Sequence, residues 1–340
     1  MTRRVLITGG AGYFGSILAA RVAAAGDEVV VLDLHEPAPA PGVRAVVADV
    51  RDLAAVRAAC EGVDVVLNNV AQVPLAKDRA LFWSVNVAGT ANVLLAARDA
   101  GVGKVVHTSS SAIFGIPDHN PVDESAPARP LEAYGRAKAE AEALCREAAA
   151  GGLDVTVVRP RTILGHGRLG IMAVLFELVA AGAPVFVMGP GDNRYQLVHA
   201  EDLADAILRA ADRPGPRTYN IGATEFGTMR ETLEALCDHA ATGARVRSVP
   251  VAPARWGMRV LSGLGLAPFA PYHWLLYSES LWFDTTRARE ELEWSPLHSN
   301  VSMVIESYEW FRTHRGEAAG ASHHQSPVRM GVMALLKRLP

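Results

Sequence analysis

Tyr134 and Lys138 stand four residues apart in Ala133–Ala149, a stretch patterned as a helix. Residues i and i+4 share a helix face, so the phenol and the ammonium point the same way. A tyrosine at its ordinary pKa of about 10 is a poor base. A neighbouring positive charge favours the phenolate and brings proton transfer closer to neutrality. Taken alone, the pair reads better as surface decoration of a helix, where such pairs are common. Two further groups change that reading. Gly9-Gly10-Ala11-Gly12-Tyr13-Phe14-Gly15 follows an apolar run and opens a helical pattern. In that context a glycine loop lets a pyrophosphate approach the backbone and the helix N-terminus. Thr108-Ser109-Ser110-Ser111-Ala112-Ile113-Phe114-Gly115 ends another apolar run. It sets hydroxyls at a strand's carboxyl edge, although serine runs also serve simply as turn formers. A dinucleotide for the hydride, a phenol for the proton and a hydroxyl to orient the oxygen describe interconversion of a secondary alcohol and a ketone.

The elements that must position these groups follow from the hydrophobic pattern. Val5–Thr8, Glu28–Leu32, Val43–Val47, Val63–Leu67, Lys104–Thr108 and Val155–Val158 are short apolar runs. Helical stretches separate them at Gly12–Ala25, Leu53–Cys60, Arg79–Ala100 and Ala133–Ala149. Strands that are apolar throughout, alternating with helices, predict an α/β fold, a Rossmann-type doubly wound parallel sheet covered on both faces. After Arg159 the regularity declines. Ile171–Ala181, Glu201–Ala211, Thr285–Leu292 and Val301–Thr313 fit helices, and Val185–Met188 and Thr218–Ile221 fit strands. The expected organisation is a dinucleotide-binding domain over 1–165, to which 201–222 returns. A smaller C-terminal substrate-binding lobe is expected over 166–200 and 223–315, on the carboxyl edge of the sheet. Residues 316–327 are polar, and Val328–Leu339 patterns as a short amphipathic helix with three basic residues, a weak signal for contact with a membrane surface.

The cofactor is expected to be NAD. Asp33 closes the second strand 18 residues after Gly15. A carboxylate there accepts hydrogen bonds from a ribose and repels a 2′-phosphate. Asp49-Val50 ends the third strand, where it can meet the adenine. Asn68-Asn69-Val70-Ala71-Gln72 closes the fourth with small residues at Val70 and Ala71 that let the backbone pass close to the cofactor. Asn86 opens Asn86-Val87-Ala88-Gly89-Thr90 early in a long helix, where it either braces the active-site backbone or caps a helix turn.

The bulk composition excludes several classes. Thirty-three basic and 36 acidic residues give a net charge of −3, without the basic stripe of a nucleic-acid surface. Cys60, Cys145 and Cys237 are isolated in sequence and read as buried, reduced thiols in a reducing cytoplasm. No apolar stretch reaches the roughly 18 residues of a membrane span. His199 and Asp202 read as part of a supporting strand and helix cap. A metal role is not expected of them, because no third ligand lies nearby in sequence.

Gly9–Gly15, Asp33, Asp49-Val50, the Asn86 segment, Thr108–Gly115, Tyr134-x-x-x-Lys138 and Arg159-Pro160 together resemble the extended short-chain dehydrogenase/reductases, and more narrowly the NAD-dependent epimerase/dehydratase family, over about residues 3–314. The resemblance implies Tyr134 as acid/base, Lys138 as its partner on the nicotinamide ribose, and Ser110 as the catalytic hydroxyl, five residues before Gly115, with Ser111 the fallback. It implies cofactor contacts from Gly9, Gly12, Tyr13, Phe14, Gly15, Asp33, Asp49, Val50, Val70, Ala71, Asn86, Thr108 and Pro160. It also implies a homodimer through Arg79–Ala100 and Ala133–Ala149.

Substrate contacts are expected from Gln72, Ser110, Ser111, Arg161, Thr162 and Tyr195. The chain departs from the family's sugar-nucleotide pattern here. Thr162 stands where asparagine is frequent and Tyr195 where an arginine is, so diphosphate donors look depleted unless Arg161, Arg168 or Arg194 substitutes. The aromatic, apolar region 250–283 is similar to the hydroxysteroid-dehydrogenase-like branch. No acidic residue accompanies Ser109–Ser111, which argues against dehydration. The sequence therefore favours a dehydrogenase or ketoreductase acting on a small molecule, with a nucleotide-sugar epimerase close behind. A non-catalytic NAD sensor is a third reading, disfavoured by the intact Tyr134–Lys138 pair.

Overall fold

The protein is described from a computed structural model that covers residues 2–73, 79–167, 172–264 and 276–314. The first half alternates strand and helix: β1 (Arg4–Thr8), α1 (Tyr13–Ala24), β2 (Glu28–Asp33), β3 (Val43–Val47), α2 (Leu53–Cys60), β4 (Val65–Asn68), the single turn α3 (Arg79–Leu81), α4 (Gly89–Asp99), β5 (Lys104–Thr108), α5 (Ala133–Ala150) and β6 (Val155–Pro160). The second half adds β7 (Thr162–Leu164), α6 (Met172–Ala180), β8 (Val185–Met188), β9 (Leu197–His199), α7 (Ala200–Asp212), β10 (Arg217–Ile221), α8 (Met229–Ala240), β11 (Val246–Val249), α9 (Val251–Gly263), α10 (Thr286–Glu291) and α11 (Asn300–Thr313).

Seven strands form one sheet in the order β3-β2-β1-β4-β5-β6-β10, with every pairing parallel. Alternate residues of the central strands feed two core layers. Val5 and Ile7 of β1 pack with Leu18 of α1 and with Leu203 and Ile207 of α7. Leu6 faces the other way, with Val56 of α2 and Val93 of α4. Leu6 and Ile7 are both fully buried. This two-sided burial is why the strands lack a polar alternation. Strand order reverses between β1 and β4, so the carboxyl ends of those two strands open a crevice at the switch point of the sheet.

Two small parallel pairs, β8 with β11 and β7 with β9, belong to the second half, where Phe176, Leu236, Val304 and Tyr308 share a third core. Helix α8 was not foreseen from hydrophobic pattern, although Thr228 and Glu231 form a capping box at its start. The aromatic, apolar region 250–283 begins with α9. The helix expected over Arg79–Ala100 is interrupted by a π-helical stretch, Phe82–Ala88, whose cause lies in the site below. Among the described residues no helix is long and apolar enough to cross a membrane. The tail 316–340 and Arg168 lie outside the described residues.

Candidate active site

The glycine loop is built for close approach. Gly9 has φ +71°, and a Cβ there would sit 2.8 Å from Val70 Cα. A Cβ on Gly15 would lie 2.1 Å from the Gly9 carbonyl oxygen, so only glycine lets α1 start against the loop. Gly12 caps α1 without any side-chain hydrogen bond. Gly12 thus offers no side chain to occupy the N-terminus of this 12-residue helix, as a pyrophosphate site needs. Tyr13 and Phe14 open the helix, with Phe14 buried in the core.

Asp33 ends β2 at 7% exposure. Its carboxylate accepts from Ala11 N at 3.1 Å and His35 N at 3.1 Å, which places an anionic edge directly beside the loop. The Thr8 hydroxyl donates to Asn68 Oδ1 and accepts from Asn69 N and Val70 N, fixing the backbone before Ala71. Val50 is packed under α4, where a Cβ on Gly89 would meet Val50 Cγ1 at 2.6 Å. Asp49 is engaged by Arg51 at 2.9 and 2.5 Å, and that guanidinium holds its carboxyl below the usual range. Flat loop, uncapped helix start and neighbouring carboxylate fit the adenosine diphosphate half of NAD.

Asn86 resolves the two roles left open for it. Its side chain accepts from Gln72 N at 2.7 Å and donates to Gln72 O at 3.1 Å, bracing the segment that leaves β4. Asn86 lies within the π-helical stretch and is fully buried. We attribute the widened turn to this cross-link, since π-helical turns commonly accommodate side chains held at functional sites.

Helix α5 presents three polar side chains on one face, at Tyr134, Lys138 and Glu142. Glu132 caps the helix, accepting from Tyr134 N at 2.7 Å and Gly135 N at 2.6 Å. Tyr134 is 8% exposed, with its ring edge-on to Phe82 at 6.0 Å. Lys138 is buried and donates to the Thr108 carbonyl at 2.6 Å. Desolvation pushes its ammonium down to about 8. Glu142 accepts from Arg159 at 2.9 and 2.7 Å and from the Ser109 hydroxyl at 2.5 Å. The helix is thus tied to the ends of β5 and β6. Ser110, half-buried, caps the short 3-10 turn Ser111–Phe114, its hydroxyl accepting from Ala112 N at 3.1 Å. Sequence reasoning passed over Glu142, although it lies four residues beyond Lys138 on the same face. Pro160 ends β6 beside Ile221 of β10.

Two of the residues expected to meet substrate turn inward. Ser111 and Arg161 are each 2% exposed, and Arg161 donates to the Ser111 hydroxyl at 2.9 Å. The guanidinium lies over the rings of Tyr195 and Phe283, 5.1 and 5.7 Å from their centroids. Cation–π attraction thus compensates a buried charge that has no carboxylate partner among the described residues. Thr162 and Tyr195 remain half-buried and share a hydroxyl–hydroxyl bond of 2.8 Å. Arg194 is exposed between Phe226 and Trp282, 4.8 and 4.7 Å from their centroids, and makes no ion pair among the described residues.

Comparison with known proteins shows the family. An uncharacterized protein, y4nG, of Sinorhizobium fredii is 45% identical over 340 residues, covering 99% of this chain and 86% of its own length. UDP-glucose 4-epimerase of Mycolicibacterium smegmatis is 30% identical over 331 residues, covering 91% of this chain and 98% of its own. Among solved structures, MoeE5 in complex with UDP-glucose and NAD superposes with a TM-score of 0.73 at 24% identity, covering 92% of this chain and 99% of that one. The family model described as the NAD dependent epimerase/dehydratase family matches residues 5–222. By that match and by the full-length likeness, the chain belongs to the NAD-dependent epimerase/dehydratase family.

Proposed function

We propose that the chain oxidises a secondary alcohol to a ketone with Tyr134 as base, Lys138 as its electrostatic partner and Ser110 as the orienting hydroxyl. The observation that carries this reading is the joint burial of Tyr134 and Lys138 on one face of α5, with Lys138 anchored on the Thr108 carbonyl at 2.6 Å. A decorative surface pair would not accept the desolvation of an ammonium. NAD, when bound, supplies the hydride acceptor. Ser110 holds the reacting oxygen, Tyr134 takes its proton, and the Lys138 ammonium stabilises the phenolate in its proton-accepting form.

The alcohol is a sugar carbinol on a nucleoside diphosphate, and return of the hydride to the opposite face gives net epimerisation. This ordering differs from the one favoured by sequence. It is supported by the likeness to a UDP-glucose 4-epimerase along nearly the whole of both chains. It is also supported by Arg194, an exposed guanidinium without an ion-pair partner among the described residues. The second reading is a net dehydrogenase or ketoreductase. It is favoured by Tyr195, whose hydroxyl is bonded to Thr162, and by the burial of Arg161, which leaves fewer cations for a diphosphate. The same family reading carries a homodimer through α4 and α5, beside which Trp83 is 37% exposed.

The experiment is an absorbance titration of NAD-loaded protein with UDP-, GDP- and dTDP-hexoses. The epimerase reading expects a transient NADH band, no net cofactor consumption and an epimeric product. In a parallel titration of protein supplied with NADH, stoichiometric NADH use with a small ketone, together with silence of every nucleotide sugar, would move the assignment to the second reading.

A further inference from the structure

Three histidines and a glutamate from three separate stretches of chain meet beside the ends of β7 and β9. His166 lies in the turn after β7, His199 ends β9, His298 precedes α11, and Glu306 is on α11. Potential ligand atoms of His199, His298 and Glu306 all lie within 4.8 Å of one another. His166 Nε2 is 2.7 Å from Glu306 Oε1. His298 Nε2 and His199 Nε2 are 3.8 and 3.9 Å from Glu306 Oε2. Sequence reading found no third ligand near His199; the fold supplies His298 and Glu306 from about 100 residues further along.

Two features separate this cluster from a surface ion pair. His199 is only 4% exposed, and its Nε2 has no hydrogen-bond partner, a state that costs free energy in a buried polar atom. Second, His298 Nδ1 lies 3.0 Å from Asp202 Oδ2. Asp202 is itself fixed by Leu297 N at 3.0 Å and His298 N at 3.1 Å. A carboxylate holding the Nδ1 proton leaves the Nε2 lone pair free and aimed, the arrangement that orients metal-binding imidazoles.

We infer that His199, His298 and Glu306, with His166 as a fourth donor, bind a divalent transition-metal ion, Zn²⁺ being the best match to an imidazole and carboxylate set. Binding requires local adjustment. His199 must carry its proton on Nδ1, giving up the 3.3 Å bond that Nδ1 accepts from Glu201 N. The His199 and His298 rings, stacked 3.8 Å apart at 21°, must splay to bring both lone pairs to about 2.0–2.1 Å from one ion. His166 and Glu306 supply the freedom and the entry path, with side chains 52% and 35% exposed. The consequence is structural. The ion would tie α11 to the ends of β7 and β9, and a Cβ on the intervening Gly165 would lie 2.5 Å from the Tyr13 hydroxyl at the start of α1 and 3.4 Å from His199 Nε2.

The test is calorimetric titration of the EDTA-stripped full-length chain with Zn²⁺, with the visible spectrum of the Co²⁺ form and the melting temperature as further readouts. H323Q/H324Q controls for the adjacent histidines of the tail. H239Q controls for the simple His239–Glu309 pair at 3.0 Å. One equivalent should bind and raise the melting temperature in wild type and in both controls, and affinity should fall roughly tenfold or more in E306Q and H298Q. Absence of binding in wild type, or equal binding in E306Q and H298Q, overturns the site and leaves a hydrogen-bonded histidine cluster. Either result is independent of the hydride-transfer reading, because none of these variants touches Ser110, Tyr134 or Lys138.

Discussion

Glu142 and Arg159 form a buried, two-point ion pair, with Arg159 Nε and Nη2 donating to the two carboxylate oxygens at 2.9 and 2.7 Å. The same carboxylate takes the hydroxyl of Ser109, the neighbour of Ser110 in the chain. Through this pair, the helix carrying Tyr134 and Lys138 is registered against the strand ends carrying the serine run. Breaking one side of a buried pair strands the other charge, at a cost of about 3–5 kcal/mol. R159M should therefore lower unfolding stability by that amount in urea titration. E142L/R159M should recover part of the loss, because both charges are gone. An R159M effect within experimental error of zero would show that the pair is not holding the helix.

Lys138 makes the pH dependence specific. Its folded-state value of about 8 lies below the ordinary 10.5. Between those values the unfolded chain holds a proton that the folded protein has released, so this residue's contribution to stability rises with pH across that window. Below about pH 8 the folded protein carries the full cost of the buried ammonium, on the order of 3 kcal/mol. K138M should show its largest stability gain relative to wild type below pH 8, and the gain should shrink toward pH 10.5. In activity the sign reverses, because the ammonium is the useful form. kcat/KM, which reports the free enzyme, should decline above about pH 8 in wild type, and K138M should have low activity without that limb.

The glycine loop predicts a contrast between two substitutions to alanine. G15A places a Cβ 2.1 Å from the Gly9 oxygen and should abolish NAD binding or destabilise the fold by more than about 2 kcal/mol. G257A, within α9, meets nothing within 4 Å and should stabilise the chain by about 0.5–1 kcal/mol through helix propensity. Thermal unfolding and NAD titration of the two variants decide it.

Asp33 predicts cofactor choice. If Asp33 sits at the adenosine ribose, D33A removes a charge that would repel a 2′-phosphate, and the ratio of NAD to NADP affinity should fall. Part of the loss in NAD affinity should come from the Ala11 amide, which loses its acceptor. Equilibrium titration with both cofactors measures the ratio, and an unchanged ratio would remove Asp33 from the ribose site.

What the chain declares in its sequence is mostly local. Gly9–Gly15, Asp33 and the apolar strand runs are short-range signals, and the seven-stranded parallel sheet follows from them. The Tyr134–Lys138 pair was legible because one helix period separates its members. The capping box Thr228–Glu231 is equally local and marks the start of α8 in the sequence. Other features depend on tertiary context. The inward turn of Arg161 depends on Tyr195 and Phe283, which come 34 and 122 residues later. The π-helical stretch depends on Gln72 finding Asn86 across a loop. The short pairs β7–β9 and β8–β11 are too brief to show a period.

The most direct test of the central claim is the rate of bound-NADH formation in Y134F against wild type, with the substrate identified by the titration above and with NAD affinity measured alongside. A positioned acid/base accounts for roughly 10²–10⁴-fold in rate. The expected result is a loss in that range with NAD binding unchanged. An NADH signal of undiminished rate in Y134F would contradict the assignment and place the proton transfer on another group.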